Sequence, residues 1–410
     1  MEIRPILSAL LRNKTGPILV ALQVALSLAI LANTGHIVEE RRGVVTRPSG
    51  LSDEHSTFYF SVYPVGKETP EKQLADTKRQ ADLLRAVGGV AAVAQVSQMP
   101  MSRNGWISSV ALDRSQDKSD TTASIYRSGD SLVKTFGLRL AEGRDFLPQE
   151  IMDVNDGAEE VTPQAVIISK ALAEQLWPGQ AAIGKTVYIG SNPAAGGSRV
   201  VGVVERLVSA HAETDGISMR TIIIPQRVYG TGRTLFAVRT EPGQRDRVMK
   251  EAEAALRRSS ALPLIMDQVT VEGDRQRRYR NDVALQWTLV TVSALLLLIT
   301  ASGIVGMASL WVTQRKKQIG VRRALGARRI DILRYFILEN FMITSAGVFG
   351  GVALGLALNQ LLVSKLELAR LPAGYLVGGA VIFWLLGVFA AYGPAWRAAS
   401  ISPATATRSV

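Results

Sequence analysis

Four stretches of this 410-residue chain, 16–38, 283–314, 340–364 and 371–396, contain no Asp, Glu, Lys or Arg. Each is longer than the roughly 20 residues a helix needs to cross about 30 Å of hydrocarbon. In lipid every backbone polar group must find its partner within the protein, which the helix does by itself. The expected class is therefore membrane α-helical, with four transmembrane helices over 17–38, 283–313, 335–363 and 373–395 and an α+β extracytoplasmic domain over 39–282. The first run has a rival reading as a cleaved secretory signal, because Arg4, Arg12 and Lys14 precede it. Against that, it is longer than a signal core, and Ile30-Leu31-Ala32 is a poor small-x-small cleavage site.

Charge sets the orientation. Of the net +12, residues 313–335 carry eight basic and one acidic group, and residues 1–16 carry three basic and one acidic. The tail after 396 is also basic, whereas 37–283 is almost neutral. By the positive-inside rule the N-terminus (1–16), the loop 314–334 and the tail 396–410 are cytoplasmic. The large domain and the short loop 364–372 lie outside the membrane. Arg275, Arg277, Arg278 and Arg280, expected just outside the second helix, run against this pattern, but long translocated domains largely escape the rule. With no cysteine in the chain, the outer domain must be held by its own core. The basic excess sits beside membrane helices with no aromatic interleaving, which points to anionic lipid and a cytoplasmic partner and away from nucleic acid.

Within the outer domain, "TFYFSVYP" (57–64), a helical stripe over 71–87 and "VAAVAQVS" (90–97) read as strand, helix, strand. "TIIIPQ", "TLFAVRT", a helix over 245–260 and "LIMDQVTV" repeat that order towards the other end. The pair suggests a ferredoxin-like βαβ-βαβ sandwich, with a β-rich subdomain inserted at about 100–215. Its Gly and Asn-Asp-Gly stretches (153–160, 190–198) read as exposed loops. "GQAAIGKT" (179–186) fits the phosphate-loop pattern G-x-x-x-x-G-K-[ST], and "LPLIMD" ending at Asp267 resembles a magnesium-binding strand. A phosphate loop must run from strand through loop to helix. Here a helix ending at Pro178-Gly179 comes first and a β-type run follows, so no nucleotide site is expected. His36, His55 and His211 are far apart and have no ligand spacing, so neither a metal site nor a histidine-based triad is expected.

The densest signal is "QRKKQIGVRRALGARRIDILRYFILEN" (314–340). It holds a short amphipathic element, Gln318 to Leu325, with Ile319, Val321 and Leu325 set among Arg322 and Arg323. The turn formers Gly326-Ala327 follow, then the start of the third membrane helix. Such an element can rest on anionic headgroups or fit a groove in a partner, with Gly320 and Ala324 permitting close approach. Gly347, Gly351 and Gly355 recur every fourth residue along the third membrane helix and give it a face for close packing, within the subunit or across a dimer. The second membrane helix is longer than a bilayer requires and is read as a stalk reaching outward. Glu339, one turn inside the third helix, reads as a functional buried charge or, more simply, as a side chain that reaches the cytoplasmic interface or pairs with Arg334 or Arg315.

The chain resembles the MacB-like (FtsX-type) permeases of ABC transporters. The resemblance rests on "IGVRRALGA" (319–327), "ILEN" (337–340), the glycine-rich third helix and "GPAWRAASISPATATR" after the fourth. In the outer domain it rests on "LVKTFGLRLAEGRDF" (132–146), "AVIISKALAEQLWPGQAAIGKTVYIG" (165–190) and "RVVGVVE" (199–205), which look like the family's periplasmic core domain. It implies a bacterial inner-membrane permease with no cofactor of its own, whose segment Gln318, Ile319, Gly320, Val321, Arg322, Arg323, Ala324, Leu325, Gly326 and Ala327 is the coupling helix. The segment would dock on a separate ABC ATPase that binds ATP and magnesium. It also implies pairing with a second permease, identical or not, a periplasmic adaptor with an outer-membrane channel, and mechanotransmission to the outer domain. A membrane-anchored sensor, or a regulator of a cell-wall hydrolase or kinase, is the alternative on the same fold. Gln318 stands where the family usually has Glu, and "PATATR" replaces the usual Pro-x-x-Ala-Leu-Arg.

Overall fold

The computed structural model describes residues 14–66, 68–113, 119–156, 161–190, 196–212, 216–260, 262–366 and 369–400. Most of the expected cytoplasmic N-terminus, the end of the tail from 401, residues 367–368 of the short outer loop, and 157–160 and 191–195 of the expected exposed loops lie outside the described residues.

Helix α1 (Thr15–Val45) precedes the middle of the chain. There follow β1 (Thr57–Pro64), α2 (Pro70–Arg85), β2 (Val90–Val96), β3 (Ile107–Ala111), β4 (Thr121–Arg127), α3 (Leu132–Phe136), β5 (Leu140–Gly143), β6 (Met152–Asn155), β7 (Ala165–Ser169), α4 (Lys170–Leu176), β8 (Thr186–Ile189) and β9 (Ser198–Val204). Next come β10 (Thr221–Ile224), β11 (Gln226–Tyr229), β12 (Thr234–Thr240), α5 (Arg245–Ser259) and β13 (Leu264–Thr270). The chain continues with α6 (Val271–Gln314), α7 (Lys316–Ala324), α8 (Arg329–Leu366) and α9 (Ala373–Ser400). Two compact units result: Thr46–Asn281, and the two ends of the chain together.

In the middle unit β1–α2–β2 and β12–α5–β13 interleave in one sheet of spatial order β13-β1-β12-β2, with every neighbouring pair antiparallel. The strand-helix-strand repeat is present, and each of its halves places a strand between the two strands of the other. Alternation along "TFYFSVYP" sends Phe58, Phe60 and Val62 to one face, where they pack with Leu84 of α2 and Val248, Ala252 and Leu256 of α5. Tyr59, Ser61 and Tyr63 occupy the opposite face. Thr69 caps α2, accepting from the Lys72 N–H at 3.4 Å, and Pro70 opens its first turn, where its missing N–H costs nothing.

The inserted strands form a seven-stranded sheet, β5-β9-β7-β10-β4-β3-β8, in which β8 also pairs with β9. Six strands thereby close into a ring and leave no edge among them, around Ile125, Val166, Ile168, Val187, Val200, Ile222 and Ile224. "TIII", grouped from the sequence with the second strand-helix-strand repeat, lies instead in this ring: β10 pairs parallel with β4 and antiparallel with β7. All four of its residues are buried, so it lacks the two-residue alternation that would have shown which sheet it joins.

The order helix, loop, strand around "GQAAIGKT" is the one found, from α4 through the turn to β8. The N–H groups of Gly184 and Lys185 bond the carbonyls of Val200 (2.8 Å) and Ala182 (3.1 Å). Lys185 Nζ donates to Gln180 Oε1 at 2.7 Å and lies 5.0 Å from the Trp177 ring centre. The amides a phosphate loop would aim at its ligand here bond the protein's own carbonyls.

In the other unit α1, α6, α8 and α9 are each long and apolar enough to span a membrane. They pack around Val24, Leu28, Ile304, Ile343, Val348 and Phe383, and Ser27 and Thr300 hydroxyls hydrogen bond between α1 and α6 at 2.9 Å. The helices run past the uncharged spans. α1 continues through Glu39–Arg42, where Arg41 pairs with Asp282 at 2.7 Å, and the 44 residues of α6 make it about 66 Å long at 1.5 Å per residue. Arg275, Arg277 and Arg278 therefore lie in the first turns of α6, not outside it. Arg275 is paired with Glu54, Arg277 with Asp274, and Arg278 donates to the carbonyls of His211 and Ala212. These local partners account for positive charge on the outer side of a membrane helix.

Candidate functional site

The basic loop folds as α7, held against α8 and α9. Ile319 turns inward against Ile332, Leu333 and Phe336 of α8 and Ala395, Ala398 and Ala399 of α9. Arg323 Nη1 donates to the Ala399 carbonyl at 2.6 Å, placing a cation at the C-terminal end of α9, where the helix dipole favours it. Arg322 stands 5.1 Å from the Tyr335 ring centre. At the start of α7, Arg315 Nη1 reaches both oxygens of Glu339, at 2.9 and 2.8 Å; of the partners the sequence offered Glu339, the structure selects Arg315.

The end of α7 is fixed as firmly. Gly326 has φ +96°, its N–H bonds the Arg323 carbonyl, and the Ala327 N–H bonds that of Arg322. These two bonds are the Schellman stop, which needs a residue that tolerates the left-handed region. Asp331 Oδ2 accepts from the Arg328 N–H at 3.0 Å and starts α8 directly afterwards.

With its inner side engaged, α7 presents Gln318, Val321, Arg322 and Ala324 outward, and Leu325 follows at 83 % exposure. Ala324 is exposed. Gly320, the other small residue, is buried along with Ile319.

The glycine face of α8 packs within the subunit. A Cβ at Gly347 would come within 2.7 Å of the Ala21 carbonyl oxygen, one at Gly351 within 2.9 Å of Leu28 Cβ, and one at Gly355 within 3.0 Å of Leu376 Cδ2. Asn33 on α1 donates to the Gly355 carbonyl at 3.1 Å. Of the two roles the sequence left open, the packing seen here is with α1 and α9.

Among the described residues no cluster of three or more His, Cys, Asp or Glu could hold a metal ion. Sequence reasoning missed Tyr335, Asp331 and the Ala399 carbonyl as supports of α7. Asp331 three residues after Arg328 was a readable capping signal, whereas the contact with α9 joins distant parts of the chain and left no local trace.

Residues 290–403 match the FtsX-like permease C-terminal family. Residues 19–256, more than half of the chain, match the MacB-like periplasmic core domain. The chain belongs to the MacB/FtsX-like permease family. It is a multi-pass inner-membrane protein with a large periplasmic domain. The macrolide export ATP-binding/permease protein MacB of Neisseria gonorrhoeae is 26 % identical over 293 residues, covering 69 % of this chain and 43 % of the relative. That of Agrobacterium fabrum is 28 % identical over 296 residues, covering 68 % and 42 %. The chain thus spans less than half the length of these curated relatives. Among solved structures, the periplasmic region of MacB from Actinobacillus actinomycetemcomitans aligns with TM-score 0.35 and 16 % identity, covering 57 % of this chain and 96 % of that one.

Proposed function

We propose that this chain is the permease part of an ABC-type exporter or mechanotransmission complex. An ABC ATPase, which binds ATP and magnesium, docks on the outward side of α7, and its closure is passed through the membrane helices to the periplasmic domain. The result is efflux or extraction of a substrate from the periplasm or the outer leaflet, in line with relatives named for macrolide export. A second permease and a periplasmic adaptor leading to an outer-membrane channel complete the assembly. The lipid-facing side of α6, with Trp287, Leu295, Leu298 and Ile299 more than half exposed, offers that second permease or the bilayer an apolar surface.

One observation carries this reading: α7 is immobilised on its inner side by Ile319, Arg323 and the Arg315–Glu339 pair, yet leaves Val321 and Leu325 uncovered. Large apolar side chains held rigidly in water beside basic groups suit a protein groove. Co-purification of the full chain with its cognate ATPase, comparing wild type with Val321→Asp and Leu325→Asp, tests it. Burying an unpaired carboxylate in the groove is expected to weaken the complex at least tenfold; undiminished binding in both variants overturns the docking assignment.

A further inference from the structure

The sheet face turned away from α2 and α5 carries a concavity that the docking surface does not use. On β1, Ser61 stands opposite Leu235 of β12 and Asp267 of β13, with Tyr59 and Tyr63 on the same face. The segment 97–104 and the first turns of α6 wall in a depression of about 550 Å³ over these residues. This volume is in the range of small-molecule sites.

Arg233 enters the depression from the turn before β12. Its Nη2 donates to Ser61 Oγ at 3.0 Å and its guanidinium lies 5.7 Å from the Tyr63 ring centre. Its Nε is buried and has no hydrogen-bond acceptor in the protein. The remaining donors of its guanidinium fork line the depression, where a charge-assisted bond to a ligand oxygen can form. Arg103 lines the same depression. It and Met101 both hold the left-handed backbone conformation, at φ 63°. Their N–H groups are fixed to the carbonyls of Ala210 (2.8 Å) and Ser209 (3.1 Å). Non-glycine residues held in that region concentrate at ligand sites.

Three arginines, Arg103, Arg233 and Arg277, line the depression against two acidic groups, Asp274 and Asp267. Asp274 is engaged on both oxygens, by the Tyr59 hydroxyl at 2.9 Å and by Arg277 at 2.8 Å. Asp267 is exposed on β13, across β1 from the strand that Arg233 precedes. Met101, Leu235 and Val269 complete the lining with apolar surface.

We propose that this depression binds a small organic acid, its carboxylate on Arg233 and Arg103 and its apolar body against Met101, Leu235 and Val269. The inference goes beyond docking and transport, and binding is measured on the full chain in nanodiscs without any ATPase, so the two readings fail separately. The probes are N-acetylleucine, its uncharged amide and inorganic phosphate, followed by saturation-transfer NMR. N-acetylleucine is expected to bind, the amide at least tenfold more weakly, and Arg233→Gln and Arg103→Ala each to weaken N-acetylleucine about tenfold. Should Arg233→Gln fail to fold, by its thermal midpoint, Arg103→Ala decides. No binding of N-acetylleucine, equal binding of the amide, phosphate binding as tightly as the acid, or undiminished binding in the folded variants overturns the proposal.

Discussion

Arg315 and Glu339 form an ion pair in which one guanidinium nitrogen meets both carboxylate oxygens, and Glu339 is only 1 % exposed. The pair joins the residue before α7 to the first third of α8. Removing one partner strands the other, which costs about 3 kcal/mol when the remaining charge is buried. Arg315→Ala, which strands the buried Glu339, is expected to lose close to that amount and Glu339→Ala less, because Arg315 is 21 % exposed and stays partly hydrated. The double variant should recover part of the loss. Denaturant unfolding of the full chain in detergent measures all three, and strict additivity of the single losses would show that the pair is not coupled.

Gly326 has no heavy atom within 4 Å of the position its Cβ would occupy, so its requirement is purely conformational. Gly326→Ala should therefore cost about 1 kcal/mol through backbone strain alone and loosen the end of α7, where Leu325 is presented. The expected outcome is a small fall in thermal midpoint together with weaker ATPase co-purification. A variant with unchanged stability would mean that the Schellman stop is dispensable.

The glycines of the membrane helices divide by what surrounds them. Gly351→Val would drive a side chain into Leu28 and the Ala25 carbonyl, whereas at Gly306 nothing lies within 4 Å. Overpacking of this kind costs about 1–3 kcal/mol, while Gly306→Ala should stabilise α6 by up to about 1 kcal/mol through helix propensity. Thermal scans of the two variants in the same detergent should move in opposite directions; a Gly351→Val variant as stable as wild type would refute the packing described for α8.

Sequence legibility followed the range of the forces involved. The four spans could be read because a bilayer enforces a local rule, the absence of charge over some 20 residues. The strand-helix-strand repeats could be read because Phe58, Phe60 and Val62 alternate with Tyr59, Ser61 and Tyr63. "TIII" could not be assigned to its sheet, since a strand buried on both faces does not encode its neighbours. The outward side of α7 was half legible: Val321 and Leu325 were named, but the side turned inward packs Ile319 on α9, about 75 residues further on. The depression at Arg233 assembles β1, β12, β13, the 97–104 segment and α6, and no stretch of sequence contains enough of it to announce a site.

Glu54 links the periplasmic domain's stability to pH. Burial pushes its carboxyl up, but hydrogen bonds from Arg275 and Ser49 and the charge of Arg275 outweigh this and hold it below the usual glutamate range. Arg275 grips both oxygens, at 2.7 and 2.6 Å. An acid whose folded pKa lies below its unfolded value adds stability that is complete above the unfolded value, about 4.3. That stability is lost as pH falls through the folded value. Glu54→Gln, which keeps the shape and removes the charge, is expected to cost about 2 kcal/mol at neutral pH, the scale of a charge-assisted hydrogen bond. The gap between wild type and variant should shrink below about pH 4.3 and close as Glu54 becomes protonated in the folded wild type. Thermal midpoints of both proteins across pH 7 to 2 check it, and a gap that stays constant or widens in acid would show that the Glu54 carboxylate contributes nothing through its charge.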